Sequence, residues 1–151
     1  MPKRGWTYYP VSTLPAPLDI VLCRFPQSLN LQEPGPKNRP GLIVQTAISE
    51  QGFKPEVRVV YGTSVLKRDR RPNDLFVLNY QEMYEAGLHQ ATRFDLDQIL
   101  WLPWAEEFFV TPNVRNYHSP VIGHLPENSA RLLGHLLEER RRKMRRDEDE
   151  N

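Results

Sequence analysis

The chain has 151 residues, 39% hydrophobic and 26% charged, with a net charge of +1. That is room for one domain with one core, and it excludes both a disordered chain and one whose overall field announces a polyanionic partner. No apolar run approaches the ~20 residues of a spanning helix, and the start, "MPKRGWTYYPVSTLPAP", lacks the apolar stretch of a secretory signal. The single cysteine, Cys23, has no partner for an internal disulfide, so a reducing cytoplasm is the expected compartment.

Residues 1–17 are rich in Pro, Ser, Thr and Tyr and show no period, which reads as an extended arm. The first expected strand is Asp19–Phe25, "DIVLCRF", closed by Pro26. A long loop, "PQSLNLQEPGPKN", leads to a second strand at Gly41–Thr46, whose wholly apolar centre predicts burial on both faces. A third strand is expected at Val57–Thr63 and a fourth at Leu75–Asn79, each entered through a Gly- or Pro-bearing turn. "YQEMYEAG" reads as a short helical turn or a loop, and "LHQATRFDLDQILWLP" as one strand or two, with a break around Asp95–Asp97. "SPVIGHL" is a last short strand. Pro126 suits a first helical position, and Ala130, Leu133 and Leu137 then recur at helical spacing. Beyond Leu137 the apolar stripe ends in "EERRRKMRRDEDEN", with six bases and six acids. It reads as a frayed helical extension and then a disordered tail over 141–151. Several short strands and one C-terminal helix predict a mostly β domain over 18–140, a small bent barrel capped by the helix.

Charge is unevenly spread. Lys54–Pro72 carries six bases against two acids, and Glu82–Glu107 six acids against one arginine. The basic segment either attracts a polyanion or pairs with the acidic one on neighbouring strands. No two histidines stand four apart and no Cys pair exists, so no structural zinc site is expected. Phosphate-binding glycine loops and nucleophile elbows are absent too.

Two stretches carry chemistry. "NRPGLIVQT" places Arg39 and Pro40 at the mouth of an apolar strand, and "VVYGTS" ends a strand in the adjacent hydroxyls of Thr63 and Ser64. With "LDIVLCRFP", "TRFDLDQILWLP" and "IGHLPENSARLLGHLL", in this order over about residues 18–140, they resemble the MazF/PemK (Kid-like) toxins of type II toxin–antitoxin systems. In that family, as here, a strand-ending threonine follows the "RP" arginine by about two dozen residues, with Thr63 standing 24 positions after Arg39.

The resemblance implies an SH3-like β-barrel of the MazF/CcdB type, acting as a cytoplasmic homodimer without cofactor or metal. It implies cleavage of single-stranded RNA, the RNA's own 2′-OH displacing the 5′-oxygen to leave a 2′,3′-cyclic phosphate, and silencing by a small antitoxin. Arg39, Thr63 and Ser64 become the catalytic candidates: a guanidinium fork for phosphate oxygens, then two hydroxyl donors. Arg58, Lys67, Arg68, His89, Gln90 and Arg93 become the substrate-binding candidates. Gln90 stands where some relatives carry an acid; it cannot act as a base, whereas neighbouring His89 belongs to the residue type that exchanges protons near neutrality. Arg93 contacts RNA or braces the barrel. The family's glycine before the first-strand acid is replaced by Leu18. Trp101, Trp104, Phe108, Phe109 and Tyr117 lie in a stretch with no family counterpart, where they stack bases or fill core or dimer contacts. A CcdB-like gyrase inhibitor and a degenerate binding barrel are the alternative functions.

Overall fold

In the computed structural model, which describes residues 5–27, 32–66 and 73–150, the alternating stretches form one antiparallel sheet. Its strands are β1 (Asp19–Cys23), β2 (Arg39–Ile48), β3 (Pro55–Thr63), β4 (Leu75–Val77), β5 (Thr92–Pro103) and β6 (Val121–His124). Their spatial order is β4-β5-β3-β2-β1-β6. A short helix, α1 (Tyr80–Glu85), and a long one, α2 (Glu127–Asp149), complete the fold. Asn79 caps α1 by accepting the Glu82 N–H through its side chain at 2.9 Å. β5 is one strand, not two. The expected break is a bulge, where the register jumps from Tyr61↔Asp95 to Val60↔Ile99.

The sheet is apolar on both faces. On one face, Ile20 of β1 shares a core with Leu42, Val60, Phe94 and Leu75 of β4, so the curled sheet turns members from across the order toward one core. Ala130, Leu133, Leu136 and Leu137 of α2 close that core. The opposite face holds Val21, Cys23, Ile43, Val57 and Val59, packed against Trp104, Phe108 and Phe109. Burial of each such ring is worth ~2–3 kcal/mol.

Residues 5–17 lie against the sheet. Trp6, Tyr9 and Leu14 pack onto this second core. The Tyr9 hydroxyl donates to the Phe109 carbonyl at 2.7 Å, the Trp104 indole N–H to Thr13 Oγ1 at 3.1 Å, and the Thr7 N–H to Glu107 Oε1 at 2.9 Å. The arm and the aromatic stretch thus cover each other and the sheet, which decides between base stacking and core for Trp104, Phe108 and Phe109: they are core. Trp101 is exposed on β5 and Tyr117 half-buried.

Two further expectations change. Residues 141–149 are helical, not a disordered tail, because Arg140 ties α2 to the sheet and Glu138 pairs with Arg141 and Arg142 along the next turn. Leu18 takes the left-handed backbone that glycine favours, with φ 79°. Left-handed backbone costs a leucine roughly 1–2 kcal/mol. Packing of its side chain on the first core and bonds from its N–H to the Ile43 carbonyl and to its carbonyl from the Leu125 N–H offset that cost. No helix among the described residues is long and apolar enough to cross a membrane.

Candidate functional site

Strand register brings the two quoted stretches together. β1 pairs Cys23 with Arg39, and β2 pairs Gly41 with Tyr61. Continued two residues to the strand ends, that register sets Pro40 against Gly62 and Arg39 against Thr63. Gly62 shows how close the strands run there: a Cβ on it would lie 2.5 Å from the Pro40 carbonyl oxygen. Pro40 fixes φ and, near the start of the strand, costs little in lost donors. β3 in turn pairs Thr63 with Arg93, and β5 pairs Arg93 with Phe76. Residues opposite one another in a sheet share a face. By that continuation, the pair Cys23–Arg39 and the row Thr63, Arg93, Phe76 line up across the sheet. The row behind it reads Val21, Gly41, Tyr61, Asp95. Neighbouring strands lie about 4.8 Å apart, which puts the Arg39 and Arg93 backbones about 10 Å apart with Thr63 between them.

The two arginines of the row differ in electrostatics. Arg93 is 6% exposed. Its Nε donates to the Val65 carbonyl at 2.9 Å, and its Nη1 lies 3.0 Å from Asp74 Oδ2 and 3.6 Å from Asp95 Oδ2. It braces the end of β3 against β4 and β5, and its charge is matched by buried carboxylates. The expectation that Arg93 binds substrate is therefore replaced by a positioning role. Arg39 is half-buried, and its guanidinium lies over the Tyr61 ring, 5.6 Å from the centroid. Among the described residues it has no ion-pair partner. A guanidinium held over an aromatic face is attracted by the ring while its field stays available to an incoming anion. Phe25, just past the end of β1, supports the same ring, with centroids 5.2 Å apart.

Thr63 is 3% exposed and accepts the Val65 N–H on Oγ1 at 3.1 Å. That bond uses a lone pair and leaves the hydroxyl hydrogen to donate. Ser64, next along, is exposed. His89 and Gln90 are exposed and lie off the same end of the sheet, just before β5 begins; Gln90 gives its carbonyl to Thr92 Oγ1 at 2.9 Å. Arg58 is not in the site. It is paired with Gln45 and Trp101, five residues from Thr63 along β3, which is ~16 Å and an odd step. Its side chain therefore points from the other face, near the other end of the sheet. Lys67 and Arg68 lie outside the described residues.

Reading the stretches one at a time missed Tyr61 and Phe25, which hold Arg39 in place. The even spacing of Tyr61 and Thr63 on one strand was the available signal. No family model matches the chain, and no curated protein matches it with significant similarity.

Proposed function

We propose that the chain is a metal-independent endoribonuclease toxin of the MazF/PemK kind, an SH3-like barrel working as a homodimer in the cytoplasm and silenced by a small antitoxin. The observation that supports this most is the pairing of Gly41 with Tyr61, which places Arg39 and Thr63 each two residues further on at the ends of adjacent strands, with Arg39 over the Tyr61 ring, although 24 residues separate the two in sequence.

In this reading the Arg39 fork holds the non-bridging oxygens of the scissile phosphate and stabilises the charge that gathers there as the 2′-OH attacks phosphorus. The exposed Ser64 hydroxyl meets the phosphate first. Opening of the Ser64–Leu66 turn then admits it to the Thr63 hydroxyl. His89 is an exposed imidazole off that end of the sheet, and we assign it transfer of the 2′-OH or 5′-oxygen proton. Gln90 and His89 contact nucleotides flanking the cut. An acidic antitoxin segment competes for Arg39.

The test is incubation of the purified chain with single-stranded RNA in EDTA. Cleavage leaving 2′,3′-cyclic ends is expected, with kcat reduced about 10²–10³-fold in Arg39→Ala, the range for losing one donor to a developing oxyanion. Intact RNA, or equal cutting by Arg39→Ala, would overturn the assignment. Gyrase-dependent DNA breaks without RNA cleavage would favour the CcdB-like alternative.

A further inference from the structure

Helix α2 runs 23 residues, ~34 Å, but its packing on the sheet stops at Leu137 and Arg140. The last turns overhang. Within them charge is sorted along the chain: five arginines and one lysine fall between Arg140 and Arg146, and the acids follow from Asp147. It is also sorted around the helix. Arg142, Lys143 and Arg146 stand three, four and seven residues after Glu139, which sets them along one flank. That flank and Asn73, in the turn before β4, line a cleft of about 610 Å³. Among the described residues neither Lys143 nor Arg146 has an ion-pair partner, and Arg142 has only a 3.5 Å approach to Glu138.

The flank is mechanically joined to the candidate site. Arg140, at the root of the overhang, bonds Asp97 and lies 3.7 Å from Asp74 Oδ1. Asp74 is the carboxylate that holds Arg93, and Arg93 sits opposite Thr63. The chain of contacts Thr63, Arg93, Asp74, Arg140 fixes the overhang relative to the row that carries Arg39.

We propose that Arg142, Lys143 and Arg146 form a second binding surface, one that takes the sugar-phosphate backbone of single-stranded RNA outside the cut. The predominance of arginine supports phosphate as the ligand. Planar guanidinium forks match phosphate oxygens two at a time, whereas a helix needing only solubility is served by lysine. Rigid coupling to the Arg39 row supports a strand that continues from that row; to this extent the inference rests on the RNA reading above. Binding here is independent of base identity, because charge and backbone alone are recognised.

The experiment is an anisotropy titration of a labelled, fully 2′-O-methylated single-stranded RNA 12-mer, which has no 2′-OH to attack. The full chain is compared with the triple variant Arg142→Ala, Lys143→Ala, Arg146→Ala across a range of salt. Alanine favours the helix, and circular dichroism confirms that α2 persists. Each phosphate contact to a single strand contributes about 0.7 to the slope of log affinity against log salt, so the triple variant should flatten that slope by about 2. Affinity at low salt should fall on the order of tenfold. An unchanged slope overturns the proposal, as does failure of the native chain to bind the 12-mer. Loss of binding to polyglutamate with the 12-mer unaffected also overturns it, and assigns the flank to an acidic protein. Arg39→Ala removes at most one contact and should change the slope by less than about 1. A native chain that binds with the full slope yet cuts no natural RNA would refute the cleavage reading and leave this surface standing.

Discussion

Replacing Arg93 with methionine tests whether this arginine braces the sheet. The guanidinium makes a 2.9 Å bond to the Val65 carbonyl and a 3.0 Å ion pair to Asp74, whose side chain is fully buried. Methionine keeps much of the volume and removes the charge. Asp74 would retain the Leu96 N–H at 3.1 Å and the more distant Arg140 at 3.7 Å. Breaking one partner of a buried pair costs 3–5 kcal/mol in general. These retained donors place this case at the lower end, so about 3 kcal/mol is expected. For a domain of this size that is a fall in Tm of roughly 6–12 °C. Urea denaturation of native and variant chains measures it. Adding Asp74→Asn to Arg93→Met should recover part of the loss, because the buried Asp74 charge is then removed together with its partner, and the non-additivity reports the coupling directly. A cost below about 1 kcal/mol, with weakened binding to RNA, would refute the bracing role and return Arg93 to the substrate contacts.

Other expected outcomes follow from single positions. Gly62→Ala sets a methyl 2.5 Å from the Pro40 carbonyl and 2.9 Å from the Phe94 ring. It should cost roughly 1–3 kcal/mol in urea denaturation and lower RNA cleavage by parting Arg39 from Thr63. Phe53 sits in the β2–β3 turn with φ 51°, next to Gly52 at 83°, and is 75% exposed. Such a pair is the conformation that asparagine and glycine accept, so Phe53→Asn should raise stability by about 1 kcal/mol in the same assay. Burial pushes the Glu107 carboxyl up, but the hydrogen bonds from Thr7 outweigh it and hold the net pKa below the ordinary value. Arm docking through this group is therefore at full strength above the ordinary glutamate range near ~4.3, and fades as pH falls through the lower folded value. Hydrogen exchange at the Thr7 amide should accelerate on that acid limb and not between neutral pH and about 5.

Local pattern disclosed much of this. The strand cores around Ile20, Leu42, Val59 and Leu75 and the stripe of α2 are written in short-range alternation, and they form where the pattern puts them. The structure also brings the two quoted stretches onto adjacent strands, with Gly41 opposite Tyr61, two residues short of Arg39 and Thr63. Arg58 shows what strand parity adds, since its odd distance from Thr63 was readable and excludes it from that face. The bulge in β5 read as a break because Leu96, Asp97 and Gln98 interrupt the alternation without ending the strand. The arm was illegible for a different reason: Thr7 and Tyr9 bond to Glu107 and Phe109, and no window of sequence contains both partners. The helical overhang of α2 was hidden because nothing apolar marks it; Arg140 anchors it by charge alone.

The clasp between arm and aromatic stretch also has a bearing on biogenesis. Each of the bonds from Thr7 and Tyr9 spans 100 residues. At synthesis rates of about 5–20 residues per second, Trp6 and Tyr9 wait on the order of 5–20 s before their partners leave the ribosome. Through that interval the apolar face bearing Val21, Cys23 and Ile43 has no cover, and the nascent chain is then most exposed to chaperones and to sticking to its neighbours.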